Sequence, residues 1–295
     1  MSKPRASILC AGRLYCDLVF TGVPNMPVMG AETFADGLSL HAGGGAFITA
    51  ASFAALGWPV SLLSALPSPP FEAVVQGDIA AANVDASLCS KGDTAVGPQI
   101  TVAIARGGDR SFLSHKAGAA LPQMESLEGP WTHLHFGELR SLVEHQDMIA
   151  KARAAGMTIS ADCGWDDELL AQGESLAEIL SAVDVFLPNE AEFDRLCASG
   201  LLEGAVPLTA VKCGAKGARA RGVDGWIHQP TKPVQVIDAT GAGDAFNGGF
   251  LSGWLEGQAL SDCLIAGNIC GAASVGQAGG TGGLGQIKGA LTGAA

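Results

Sequence analysis

Short apolar runs alternate along the chain with longer stretches in which apolar positions recur every three or four residues. The runs "ASILCAG", "PVSLLSAL", "THLHF", "MTISAD", "VDVFLPN" and "LTAVKCG" have the length and side-chain type of buried strands. Between them the spacing predicts helices over 45–56, 71–82, 142–155, 168–182 and 190–199, and two Gly/Ala-rich helices close the chain from Ala242 onward. This βαβα order predicts one α/β domain over 1–295, a three-layer core whose mainly parallel sheet is covered by helices on both faces. Sheets of this kind take their ligands at the carboxyl ends of the strands. Two segments, 19–41 and 94–116, break the rhythm with β-type runs such as "GPQITVAIA" and "RSFLSH" and no helix between them. Together they are expected to form a small sheet standing off the core as a lid, although surface hairpins carry the same pattern.

Charge narrows the range of partners. With 29 acidic against 17 basic residues and a formal net charge of -12, the chain lacks the clustered Lys and Arg of a nucleic-acid groove or a polybasic membrane surface, so neither partner is expected. Phosphates are not excluded, because backbone N–H groups at helix starts bind anions without net positive charge. The longest apolar stretch, "FAALGWPVSLLSAL", is interrupted by Gly57 and Pro59 and falls short of the roughly 18 apolar residues of a membrane span. Arg13 breaks the N-terminal apolar run before it reaches the length of a signal peptide. The eight cysteines are scattered singly with no CxxC, which fits reduced thiols and a cytoplasmic location.

The chemistry concentrates in "VIDATGAGDAFNGGF". A strand-like "PVQVID" runs into Thr240, Gly241, Ala242 and Gly243, after which Ala245, Phe246, Gly249 and Phe250 recur at helical spacing. Glycines at such a turn let successive N–H groups point the same way, and the helix dipole adds partial positive charge, so an anion hole is expected over Gly241, Ala242 and Gly243. Asp244 lies inside that hole. A carboxylate there suits a general base that takes a proton from a hydroxyl attacking a γ-phosphoryl group; aspartate also caps helix starts, so the pattern alone leaves both roles open. Asp238 is expected to organise the turn. Elsewhere, the GxGxxG match in "GGTGGLG" lacks a preceding strand and a following helix, and no GxxxxGK[ST] occurs, which argues against dinucleotide and P-loop sites. His133 and His135 share a strand face but have no third metal ligand nearby in sequence, so a structural role is expected. Asp162 and Trp165, in the loop after a strand, are candidates for lining the site.

The stretch "DATGAGDAFNGGF" resembles the C-terminal signature of the ribokinase-like carbohydrate kinases, also called the PfkB family, and the resemblance extends from about residue 6 to 285. "AGGGAFITAASFAALG" resembles the N-terminal signature, "PNEAE" the Asn-x-x-Glu element, "VKCGAKGA" the glycine turn beside the nucleotide, and "AGNICGAASV" the helix that approaches adenine. The resemblance implies a ribokinase-like fold and an ATP-dependent phosphotransferase with magnesium, acting on a hydroxyl of a small sugar, sugar acid or nucleoside. It leaves a monovalent cation and a homodimer formed through the lid open. It makes Asp244 the base, gives Asp17, Gly43 and Gly44 to the substrate, and gives Asn189, Lys212, Gly214, Gly217 and Asn268 to the nucleotide, with Glu192 at the metal. One departure stands out: Ile48 occupies the position where many members carry a substrate-binding asparagine. An isoleucine offers no side-chain hydrogen bond, which keeps two alternatives in view, a nucleoside kinase and a non-catalytic ligand-binding protein on the kinase fold.

Overall fold

In the computed structural model, which describes residues 7–106, 109–277 and 279–292, the apolar runs line up side by side as the centre of an eight-stranded sheet. Strands β4 (Val60–Leu63), β1 (Ser7–Ala11), β7 (Trp131–Phe136), β8 (Thr158–Asp162), β9 (Val185–Leu187) and β10 (Leu208–Lys212) run parallel in that spatial order. Strands β11 (Ala218–Gly222) and β12 (Gly225–Gln229) extend the β10 edge as an antiparallel hairpin. Alternate residues of each strand feed opposite faces. In β1, Ile8 and Cys10 join the core beneath α1 (Gly45–Ala55), α8 (Ala242–Leu255) and α9 (Leu260–Ser274). Leu9 and Ala11 join the second core, under α3 (Leu139–Glu144), α4 (Asp147–Ala154), α5 (Asp167–Leu170), α6 (Gly173–Ser181) and α7 (Glu190–Ala198). The expected three layers are therefore present.

The segments expected to form a lid make a separate, smaller sheet, called the lid sheet below, of β2 (Tyr15–Thr21), β3 (Gly37–Gly43), β5 (Ile100–Arg106) and β6 (Asp109–His115) in the order β3-β2-β5-β6. It begins earlier than the sequence pattern suggests, because only Gly12, Arg13 and Leu14 separate it from β1. Helix α2 (Glu72–Ala81) buries Val75 and Ile79 in the same core as α1, and α10 (Ile287–Thr292) ends the described chain.

Three local expectations are corrected. The helix expected over 142–155 is two helices, α3 and α4, because His145 leaves the helical region at φ -128 and ψ 46. The helix expected over 168–182 is likewise divided, with the Asp166 side chain capping α5 at Leu169 N–H and the chain turning before α6. "PVQVID" is not a strand. Pro230 and Pro233 bring no N–H donors, and the N–H groups of Ile237 and Asp238 both bond to the Val275 carbonyl, outside any ladder. His133 and His135 are fully buried on the α8 face, where Ser160 lies within 2.8 Å of His133 Nε2 and of His135 Nδ1. Burial pulls both imidazoles down to about 3 and keeps them neutral, in keeping with a structural role.

Candidate active site

The carboxyl ends of β1, β7, β8, β9 and β10 open into one cavity of about 690 Å³, roofed on one side by Tyr15, Ser114 and Lys116 of the lid. Two helix starts form its floor. Helix α8 begins after Gly241, which takes the left-handed conformation at φ 73 that favours glycine. Helix α1 begins after Gly44, and its first residue, Gly45, packs so closely on the Gly137 carbonyl that a side chain would collide there, while its Cβ would lie 3.0 Å from Asp244 Oδ1. Two positive helix ends thus converge on one carboxyl.

Asp244 does not cap its helix. The cap position, Gly241, makes no side-chain bond, and among the described residues no donor is recorded for the Asp244 carboxyl. Loss of water around it and then the charge of Asp162 push this carboxyl up to about 8, while Lys212 pulls it down. The first-turn amides divide. Ala242 N–H bonds to the Ala239 carbonyl at 3.3 Å, whereas no acceptor is recorded among the described residues for the N–H groups of Gly243 and Asp244. Asp238 organises the turn as expected, accepting from Thr240 N–H at 2.8 Å, Thr240 Oγ1 at 2.6 Å and Gly279 N–H at 2.8 Å.

The cavity brings together Asp244, Gly243, Gly44, Asn189, Glu192, Lys212 and Gly214, and Asp162 and Trp165 line it as well. Asn189 and Glu192 form a capping box at the start of α7: Asn189 Oδ1 accepts from Glu192 N–H at 2.9 Å, and Glu192 Oε2 accepts from Asn189 N–H at 2.8 Å. Burial pushes Glu192 up to about 7. Gly241, Ala242, Asp17, Gly43, Gly217 and Asn268 do not line the cavity. The Asp17 carboxyl lies over Gly43, where any side chain would collide with it, in a cross-strand lid row with Thr101 and Ser114. Gly217 packs on Gln229, whose carbonyl accepts from Asn268 Nδ2 at 3.0 Å, so these two residues meet beyond Gly214.

Ile48 is not where the resemblance suggests. Its side chain is buried under the Gly241 turn, with Cγ2 2.9 Å from the place a Gly241 Cβ would take and Cδ1 2.6 Å from that of Gly280. Ile48 thus serves packing and does not line the cavity.

Several residues escaped the sequence reading. Glu138, just past β7, is half-buried, accepts hydrogen bonds from Arg13 N–H at 2.8 Å and from the Ser141 hydroxyl, and is pushed up to about 7 by desolvation. Its signal was present: an acid one glycine beyond a parallel strand sits where such sheets bind ligands. Arg13 crosses from the core to the lid base, donating to Gln99 Oε1 at 2.5 Å and to the carbonyls of Ala117 and Gly118 at 3.1 and 2.9 Å. Arg140 makes a two-pronged bond to Asp166 at the rim, 2.8 Å on each arm. The Arg13 and Arg140 contacts join residues far apart in sequence and leave no local pattern.

Among the described residues, no three acidic, histidine or cysteine side chains gather into a metal cage. Magnesium carried with a nucleotide takes one or two carboxylates and completes its shell from phosphates and water. Glu192, anchored by one oxygen at the cavity wall, fits that sparse donor set. Among the described residues, no helix is long and apolar enough to cross a membrane.

The chain is similar to several known proteins. A cytidine kinase from Thermococcus kodakarensis is 30% identical over 136 residues, 42% of this chain and 48% of that protein. A fructokinase from Rhizobium leguminosarum bv. trifolii is 26% identical over 271 residues, 83% of this chain and 78% of that one. The chain matches less than half of the length of the first curated relatives. The crystal structure of a putative ribokinase II from E. coli in complex with ATP and Mg2+ shares the fold with a TM-score of 0.78 at 22% identity, covering 98% of this chain and 99% of that one. The model of the pfkB family carbohydrate kinases matches residues 33–286, and the chain belongs to that family, with its ribokinase-like fold.

Proposed function

We propose that the protein is an ATP-dependent kinase that phosphorylates an alcohol group of a small sugar or sugar-like acceptor, with Asp244 as general base. The observation that carries this reading is a carboxyl at the head of α8, in the cavity wall, with no hydrogen bond of its own among the described residues and open N–H groups beside it. A capping residue would have a partner on the first-turn backbone. The acceptor lies between Glu138, Gly44 and the lid residues Tyr15 and Ser114, close to Asp17 and Gly43. Its hydroxyl gives a proton to Asp244 as the oxygen bonds to the γ-phosphorus, and the bond to the leaving ADP oxygen breaks. The amides of Gly243 and Asp244, at the Gly241–Gly243 turn, receive the charge of the transferred group. The nucleotide extends past Lys212 and Gly214 toward Gly217 and Asn268. Glu192, with Asn189, would hold magnesium, which neutralises charge on the β- and γ-phosphates when bound. A nucleoside acceptor is the second reading, favoured by Trp165, which stands 57% exposed in the cavity wall as a platform for a planar ring.

The same proposal includes a cytoplasmic location, where ATP is available, and a homodimer formed through the lid. The test is magnesium- and ATP-dependent ADP release over a panel of sugars, sugar acids, sugar phosphates and nucleosides, with Asp244→Asn in parallel. One acceptor class should turn over, and the variant should lose about 10²- to 10⁴-fold in kcat with ATP affinity little changed. Near-full turnover in the variant removes Asp244 as base; no turnover on any acceptor, with ATP bound, favours a binding protein.

A further inference from the structure

Asp162 and Lys212 end β8 and β10, the two strands that flank β9, and both face α8, where Asn247 meets them. Lys212 Nζ donates to Asp162 Oδ1 and Oδ2 at 2.8 Å each and to Asn247 Oδ1 at 3.3 Å. An ammonium has three protons, and in this arrangement all three are engaged, so none is left for a phosphate. Asp162 is equally saturated: Cys163 N–H bonds Oδ1 at 2.7 Å and Asn247 Nδ2 bonds Oδ2 at 2.6 Å. It is therefore a poor rival for the role of base. Asn247 is fully buried and lies three residues after Asp244, one turn along the same helix. Lys212 Nζ also sits 3.3 Å from the place a Gly243 Cβ would take, directly under the open amides. A buried ion pair is weak evidence of stability in itself, because desolvation offsets its attraction, so its place beside an unpartnered carboxyl points to another use.

We propose that the Asp162–Lys212–Asn247 cluster is a positioning device for Asp244: Asn247 fastens the first turn of α8 to β8 and β10, and the Lys212 ammonium, balanced by Asp162, keeps Asp244 available as a proton acceptor. The inference rests on the reading of Asp244 as the base. The charged groups that act on Asp244 are Glu138 after β7, Asp162 on β8, Glu192 on α7 and Lys212 on β10; α1 presents the backbone of Gly45. Lys212 is the positive member of that set, and it lowers the proton affinity of Asp244 while the three acids raise it.

Opposite charges must then have opposite effects, which scaffolding alone would not produce. The experiment measures kcat, KM for ATP and the pH dependence of kcat/KM for Lys212→Met and Asp162→Asn on the acceptor that the wild type turns over. Lys212→Met leaves Asp162 uncompensated and should move the acid limb up by about one pH unit or more, lowering kcat at neutral pH. Asp162→Asn leaves Lys212 uncompensated and should move the limb down by about one unit. KM for ATP should stay within about threefold in both, since the engaged ammonium does not hold phosphate. Limbs that stay in place, or that move the same way, overturn the proposal. If Lys212→Met does not fold, Asp162→Asn decides alone: a downward shift supports the device, and a fixed or upward limb overturns it. Asp244→Asn in the same series separates the two readings, because retained turnover there sinks the base, whereas lost turnover with unmoved limbs in the other variants sinks the cluster alone.

Discussion

Asp244 carries a cost in stability, whatever its proposed role as base. Its carboxyl is raised to about 8 in the folded chain, against about 3.9 for an unperturbed aspartate. Below pH 4 both states hold the proton and nothing is lost. Between pH 4 and 8 the unfolded chain releases a proton that the folded chain keeps, so wild-type stability falls with rising pH, and above 8 the loss is complete. Asp244→Asn never ionises. Its melting temperature should therefore exceed that of the wild type by a margin that grows from about pH 4 to 8 and then levels off, while its turnover is lost. Differential scanning calorimetry across that range checks the prediction, and a margin independent of pH would contradict it. The residue itself was legible because a strand-like run, a glycine turn and an acid at a helix start are neighbours in sequence. The absence of a capping bond was not, since it depends on where Gly241 places the first turn. Nor was the fate of Ile48, whose neighbours Gly241 and Gly280 lie far along the chain.

Among the elements, the apolar runs of the central sheet were legible because a parallel sheet buried on both faces needs continuous hydrophobic strands, whereas the breaks at His145 and before α6 left no mark in the helical spacing. The β11–β12 hairpin was missed although Asp224-Gly225 marks its turn, because Arg219 and Arg221 interrupt the apolar pattern at an edge that is half in solvent. "PVQVID" was overread for the converse reason: Val234 and Val236 alternate with Gln235 like a strand, but Pro233 brings no donor and the N–H groups of Ile237 and Asp238 bond to Val275 outside any ladder. The junction of α1 with β7 is a contact between backbones. A Cβ on Gly137 would collide with Ala46 N, whereas Gly77, mid-helix in α2, has nothing within 4 Å of its Cβ position. Gly137→Ala should cost about 2–3 kcal/mol by forcing α1 off the strand end. Gly77→Ala should stabilise by about 1 kcal/mol through helix propensity. Urea unfolding checks both, as midpoint shifts of opposite sign at unchanged m-value.

For the molecule as a whole, the lid stands out as the surface richest in exposed apolar side chains. Leu113, on the edge strand β6, is 75% exposed, and it continues a cross-strand row through Val102, Leu18 and Leu40. Leu18 and Leu40 pack onto the core, but Leu113 and the neighbouring Phe112 do not. An edge strand with unpaired backbone groups and apolar side chains invites pairing with a second copy. If the lid dimer forms, light scattering should give twice the 29.8 kDa chain mass for the wild type. Leu113→Lys should return the single-chain mass; a wild type already monomeric at micromolar concentration would end that proposal.

The lid is also spliced into the core at unusually short range. Three residues, Gly12 to Leu14, lead from β1 into β2, and Gly44 alone leads from β3 into α1. The strand that ends at the cavity floor and the helix that begins there are thus the two stalks of the lid, and Arg13 ties both to the base of β5 and to the segment after β6. A lid built this way cannot be exchanged between relatives as a cassette. Any graft that alters its twist or height also re-aims Gly44 and Gly45 at Asp244; on the proposed function, acceptor preference and catalytic competence would be inherited together.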